Sequence, residues 1–248
     1  MTSLEHYPVE FYVGSQRIRG NLHLPYTGAP CIVILHGLEG NKDSNKWLFV
    51  TSRLVSRGYA CLRFNFRGCG EGSEKSDGSF DDTSLTNRIE DYRAALKFLR
   101  ESRKIDAEKI GVIGSSFGGM TAIAAQERVR ALVTLSTPYM IKNLGEIKIT
   151  YGEHTYYILP SGRRLKETFY EDLKKYNLLE AVRNAPPILI IHGSADDLAP
   201  VDHALRLFEL APEPKGIEII EGADHFLTKP EHLERAVNLA IEWFKKHL

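Results

Sequence analysis

A serine able to act as a nucleophile stands in Lys109-Ile110-Gly111-Val112-Ile113-Gly114-Ser115-Ser116-Phe117-Gly118-Gly119. A β-branched run enters this segment, and an Ala-rich, helix-prone stretch from Met120 to Arg128 leaves it. A serine between strand and helix sits in a tight, strained turn that lifts its hydroxyl clear of the backbone. Residues two positions away on either side must be small, and for Ser116 they are Gly114 and Gly118. Ser115 is the rival, but its second neighbour downstream is Phe117, which does not suit such a turn. A bare glycine-x-serine-x-glycine arises by chance in roughly one chain in ten of this length. The surroundings must therefore carry the reading.

A serine hydroxyl is a poor nucleophile at neutral pH; it needs a base, and the base needs an orienting group. The apolar run Ile188-Leu189-Ile190-Ile191 ends in a turn holding Asp196 and Asp197, and Ile217-Glu218-Ile219-Ile220 precedes a loop that presents His225. Parallel strands would bring all three ends to one rim. The chemistry this allows is two-step acyl transfer. His225 takes the Ser116 proton, the serine attacks an ester carbonyl, and water activated by His225 cleaves the acyl-enzyme. The oxyanion formed on attack needs fixed donors. The Phe117 N–H is one, at a helix N-terminus where free amides and the dipole favour negative charge.

The elements needed to position these groups are legible. Val9–Val13 and Arg17–Leu24 read as an antiparallel hairpin around Gly14-Ser15. Fully apolar strands follow at Cys31–Leu35, Ala60–Phe66, Ile110–Ile113, Ala131–Leu135, Ile188–Ile191 and Ile217–Ile220, as suits a sheet buried on both faces. Between them, Leu85, Ile89, Tyr92, Leu96 and Leu99 form one helical stripe. Trp47, Val50 and Leu54 mark an earlier helix stopping at Gly58. Leu233, Val237, Ile241 and Phe244 mark a last one opened by Pro230. The expectation is an α/β fold, a doubly wound and mostly parallel sheet with an N-terminal antiparallel hairpin, in a single domain. Residues 138–185 exceed what a crossover requires. They read as a small inserted cap, with a hairpin at Lys148–Leu159 and a helix at Glu167–Tyr176.

Over nearly its whole length, from about residue 8, the sequence resembles the α/β-hydrolase superfamily of serine hydrolases. The resemblance rests on the order Ser116, acid, His225, and on His192-Gly193-Ser194-Ala195-Asp196-Asp197-Leu198-Ala199-Pro200, which matches the family's H-G-x-x-D-x-x-V-P turn with Ala199 in place of Val. That register implies Asp196, not Asp197, as the acid, and Gly222-Ala223-Asp224-His225 matches the family's G-x-x-H loop. His36-Gly37-Leu38 resembles its H-G-x loop, which implies the Leu38 N–H as the second oxyanion donor. His36 and His192 are implied as loop braces, and Arg67-Gly68-Cys69-Gly70-Glu71-Gly72-Ser73 as a structural turn. The small cap and the H-G-x-x-G loop are similar to carboxylesterases of the cinnamoyl/feruloyl type. Tyr139, Tyr156, Tyr157 and Phe169, with Tyr151 and Tyr170, are then candidates to line a pocket for a small-molecule ester. The same residues would serve a serine peptidase of the prolyl-oligopeptidase kind, a thioesterase or an acyltransferase. A non-catalytic binding protein on this fold usually lacks a member of the three. Dehalogenases and epoxide hydrolases need aspartate where Ser116 stands.

Composition narrows the remaining classes. In 248 residues there are 32 Lys plus Arg and 32 Asp plus Glu, so nothing advertises a nucleic-acid or anionic-membrane partner. No apolar run approaches the roughly 18 residues of a membrane span, and Met1–Glu10 lacks the features of a secretory signal. Three cysteines, Cys31, Cys61 and Cys69, show no C-x-x-C spacing and point to a cytoplasmic chain without disulfides. Cys31 and Cys61 are expected to be buried in strands, and Cys69 to be more exposed in its glycine-rich loop. No metal-ligand cluster or cofactor motif is present. His6, His23, His154, His203, His232 and His247 match no motif and read as surface or structural. Several faces would accommodate a homo-oligomer, and none is selected.

Overall fold

A computed structural model describes residues 6–142, 144, 145 and 147–248. Its strands are β1 (His6–Val13), β2 (Gln16–His23), β3 (Ala29–Leu35), β4 (Ala60–Phe64), β5 (Ile105–Ser115), β6 (Ala131–Leu135), β7 (Ile147–Tyr151), β8 (His154–Ile158), β9 (Arg164–Lys166), β10 (Ile188–Gly193) and β11 (Lys215–Ile220). Its helices are α1 (Asn45–Val55), α2 (Leu85–Ser102), α3 (Phe117–Ala125), α4 (Thr168–Leu173), α5 (Leu178–Ala181), α6 (Asp202–Leu210) and α7 (Pro230–His247).

Eight strands form one sheet in the order β1-β2-β4-β3-β5-β6-β10-β11. The β1–β2 hairpin joins β4 antiparallel, and every later pairing is parallel. Side chains alternate across a strand, so the continuous apolar runs feed two cores at once. Cys31, Val33 and Leu35 of β3 belong to the core shared with α2, α3 and α6, whereas Ile32 and Ile34 belong to the core shared with α1 and α7. Each fully buried Val, Leu or Ile contributes about 1.5–3 kcal/mol, which is why the central strands read as unbroken hydrophobic stretches.

Element boundaries differ from the sequence expectation where side chains or loops capture the backbone. The strand beginning at Ala60 ends at Phe64, because the Asn65 N–H turns to the Arg19 carbonyl and the Phe66 N–H to His36 Nε2. The strand around Ile110–Ile113 extends in both directions, and the last strand starts at Lys215. Cys69 is buried, contrary to expectation. The Arg67–Ser73 turn folds inward, with Cys69 N–H bonded to Phe66 and its thiol 3.7 Å from an Arg88 nitrogen. Burial pushes the Cys31 thiol up to about 12, so it is an inert core group.

Between β6 and β10 the chain builds a three-stranded antiparallel sheet, β7-β8-β9, followed by α4 and α5. Three residues long, β9 is too short to show a period in the sequence. Thr86, in the first turn of α2, donates to Asp172 from its N–H (2.9 Å) and hydroxyl (2.6 Å) and meets the Tyr176 hydroxyl at 2.7 Å. Arg164 pairs with Asp81 at 2.7 Å, Lys166 pairs with Asp82, and the Ser161 hydroxyl bonds Glu39. These bonds tie the segment to the body.

Candidate active site

β5 runs straight into α3 through Ser116, whose backbone takes φ +52° and ψ −120°. Positive φ is sterically unfavourable for a residue with a Cβ, and such strain persists only where the surroundings impose it. Here the Ser116 N–H is held by the Leu135 carbonyl at 2.8 Å, and its own carbonyl accepts from Met120 at 3.1 Å. The flanking glycines allow the turn. A methyl built on Gly114 would lie 2.7 Å from the Gly118 backbone, and one on Gly118 would run into the Leu35 carbonyl oxygen. Ser115 faces elsewhere; its buried hydroxyl accepts a hydrogen bond from Lys46 Nζ at 3.0 Å. Burial lowers Lys46 to about 8, against the pull of Asp224 and Asp196, which place negative charge nearby.

The ends of β10 and β11 bring Asp196 and His225 to the same rim. His225 Nε2 lies 3.0 Å from Ser116 Oγ, and His225 Nδ1 lies 2.8 Å from Asp196 Oδ2 and 3.0 Å from Oδ1. A carboxylate only accepts, so Nδ1 carries the proton and Nε2 offers its lone pair to the serine hydroxyl. Burial pushes the Asp196 carboxyl up, but hydrogen bonds from His192, His225 and the Ala199 N–H outweigh it and hold the group well below the usual carboxylate range. His192 makes a bond of 2.6 Å from Nε2 to the Ala199 carbonyl and reaches Asp196 Oδ2 at 3.3 Å. Its Nε2 is therefore protonated, and it braces the acid turn. Asp197 is exposed.

The loop after β3 lies against Ser116: a methyl built on Gly37 would sit 3.6 Å from Ser116 Cβ. Neither the Leu38 nor the Phe117 N–H is taken by a backbone carbonyl among the described residues. The loop is held from behind by Arg88, a buried residue of α2. Its Nη1 contacts the His36 and Gly37 carbonyls at 3.2 and 3.3 Å, and its Nη2 contacts the Leu38 carbonyl at 2.7 Å. The guanidinium lies 4.2 Å from the Phe66 ring centroid and 5.3 Å from that of Phe117. His36 donates from Nδ1 to Gly37 O (2.8 Å) and accepts the Phe66 N–H at Nε2. Burial, and then Arg88, hold it neutral, far below the usual imidazole range. Arg88 escaped the sequence reading. Its spacing of three from Leu85 and four to Tyr92 puts it on the buried stripe, and that was the available signal.

A cavity of about 610 Å³ opens beside α3, walled by Met120, Tyr139, Tyr157, Tyr170 and Tyr176. Tyr139 and Tyr157 were expected there. Tyr156 and Phe169 are not on its wall. Tyr156 neighbours Tyr157 on β8 and so points to the other face, under the Arg164 guanidinium. Phe169 is fully buried against Phe117, leaving Tyr170, the next residue of α4, on the wall. Tyr151 is 78% exposed. Of the remaining histidines, His23 is buried and accepts from Arg63 Nε at 3.1 Å, and His203 takes the Tyr139 N–H on Nδ1 at 3.1 Å. Among the described residues no three His, Cys, Asp or Glu are grouped to hold a metal ion, and no helix is long and apolar enough to cross a membrane.

Strand order and the strained strand-to-helix turn at Ser116 together define the α/β-hydrolase fold. The sequence pattern of the prolyl oligopeptidase family matches residues 46–248, and the chain belongs to that family. Among curated relatives, the uncharacterized protein YfhR of Escherichia coli is 28% identical over 200 residues, 78% of this chain. The chain spans 62% of the length of that relative. Among solved structures, the esterase domain of a Rhodothermus marinus protein is 25% identical with a TM-score of 0.75, covering 98% of this chain and 99% of its own. Est1E of Butyrivibrio proteoclasticus, solved with ferulic acid bound, shares the fold with a TM-score of 0.80 at 20% identity, over 96% of this chain and 98% of its own.

Proposed function

We propose that the protein is a carboxylesterase that uses Ser116 as nucleophile, His225 as base and Asp196 as the group that orients the imidazole. The observation that carries this reading is the unbroken relay from Asp196 through His225 to Ser116, with the lone pair of Nε2 directed at the hydroxyl. Ser116 Oγ bonds to the ester carbon as its proton passes to His225 Nε2. The carbonyl electrons move onto the oxygen, where the N–H groups of Phe117 and Leu38 stabilise them. Collapse expels the alcohol, which leaves with the proton from His225. Water then gives its proton to His225, attacks the acyl-enzyme, and releases the acid with Ser116 restored. No metal or organic cofactor enters these steps. Residues 138–185 act as the cap, and the aromatic cavity receives part of the ester. The ferulic acid bound to Est1E and the esterase domain of Rhodothermus marinus favour an ester over a peptide.

The test is hydrolysis of p-nitrophenyl esters from acetate to palmitate, with an aryl ester and the matching p-nitroanilide, by the wild type and by Ser116→Ala. Ester turnover lost in the variant supports the assignment. Anilide turnover without ester turnover would favour a peptidase. Equal activity in both proteins refutes the role of Ser116.

A further inference from the structure

The aromatic cavity has a second property, which is charge. Besides its tyrosines it is lined by Lys142, Lys148 and Lys174, and among the described residues no aspartate or glutamate lines it. In a chain with 32 acidic and 32 basic residues this is a local excess of one sign. Lys148 is engaged, lying over the Tyr157 ring at 4.7 Å and 3.6 Å from Glu167. Lys142 and Lys174 form no ion pair among the described residues. Two of the tyrosine hydroxyls are also committed, Tyr176 to Thr86 and Tyr170 to the Leu144 N–H. The cavity thus offers an apolar ring-lined body and two lysines, Lys142 and Lys174, without an ion pair among the described residues, an arrangement that concentrates anions.

Its wall includes a residue of the helix that Ser116 opens and one bonded to the helix that follows Asp196. Met120 lies one turn beyond Ser116 on the same helix face, and a helical side chain leans back over the preceding turn. On the other side, Tyr139 is tied to His203, at the start of the helix that follows the Asp196 turn. A group held in this cavity is therefore close to the scissile bond.

We infer that the preferred ester carries a carboxylate at the end remote from the scissile bond, paired with Lys142 and Lys174 while its aryl or alkyl body lies against the tyrosines. This rests on the esterase reading above and leaves its bond-breaking steps unchanged. Two matched pairs test it, placing the charge on either side of the bond. One pair is p-nitrophenyl hemiglutarate against p-nitrophenyl glutaramate. The other is 4-carboxyphenyl butyrate against 4-carbamoylphenyl butyrate. At low salt, the acid of one pair is expected to exceed its amide about tenfold in kcat/KM. The preference should fall roughly two- to fivefold in each of Lys142→Gln and Lys174→Gln, as exposed charge pairs contribute. It should also shrink as salt rises, with amide esters unaffected. Amide esters turned over with no acid preference in either pair, or a preference that survives the double variant, overturns this inference and leaves the esterase reading standing. No hydrolysis of any of the four esters overturns both.

Discussion

Arg88 provides the sharpest test of the proposed oxyanion role of the loop after β3. Arg88→Met removes a guanidinium that satisfies three successive carbonyls, those of His36, Gly37 and Leu38. Two of these share one nitrogen at 3.2 and 3.3 Å, so the loss is nearer to two good bonds than three. Hydrogen bonds to a charged group contribute about 1.5–3 kcal/mol each, so roughly 3–6 kcal/mol of stability should go. At this chain length that lowers the melting temperature by roughly 10 °C. With the carbonyls released, the Leu38 N–H loses its fixed direction. Complete loss of one oxyanion donor costs about 10²–10³ in kcat, so a misdirected one should cost about 10–100-fold. KM should move by less than about threefold, because the donor acts on charge that develops only in the transition state. The assay is kcat and KM on a neutral p-nitrophenyl ester well below the variant's melting point, with the affinity of an aryl trifluoromethyl ketone measured beside it. That inhibitor places an oxyanion in the same hole, so its affinity should fall with kcat. Arg88→Lys, which keeps the charge and one donor direction, should recover part of both. A folded Arg88→Met that loses stability but keeps kcat and inhibitor affinity would reduce Arg88 to a packing residue and refute the reasoning.

Other consequences are as direct. Asp196→Asn should lower kcat by about 10³–10⁴ through the wrong imidazole tautomer, with circular dichroism unchanged; a loss under tenfold would deny the acid its orienting role. Gly118→Ala should abolish soluble expression or activity, since its methyl meets the Leu35 carbonyl; a fully active variant would mean the turn relaxes more than its geometry suggests. His23, lowered to about 3 by burial and then by Arg63, is neutral in the fold and protonates more readily when unfolded. Because the folded pKa is depressed, stability is present above about pH 6.5 and drains away as pH falls toward 3, by about 1.4 kcal/mol per unit. Denaturant titrations at pH 7 and 4.5 should differ accordingly, and His23→Gln should flatten the slope.

Much of the sheet is legible because burial on both faces demands unbroken β-branched runs, and these survive as a pattern in Cys31–Leu35 or Ile188–Ile191. Ser116, Asp196 and His225 are legible for a related reason: each follows such a run, where parallel strands converge. What escapes is whatever depends on partners without a pattern. Arg88 serves backbone carbonyls, which have no residue type, and a charged side chain on a helix reads as solvent-facing. Tyr156 and Tyr157 both looked available for a pocket, yet adjacent strand residues cannot face the same way. Cys69 looked exposed because its neighbours are glycines, although those glycines are what let the turn fold inward over Arg88.

The route from β6 to β10 has an evolutionary consequence. The two strands are parallel neighbours in register from Leu132 and Ile188 onward. The chain must therefore leave at the rim where Ser116 lies and re-enter at the opposite edge of the sheet. That journey needs only about a dozen residues. Whatever length exceeds it adds no constraint on the pairing of either strand, and a longer loop costs little extra closure entropy. The excess accumulates at the rim, beside the reacting groups, and the sheet is indifferent to its sequence. On the proposed esterase reading, substrate preference can then drift by insertion, deletion or exchange in this one interval, while the machinery that breaks the bond is inherited intact.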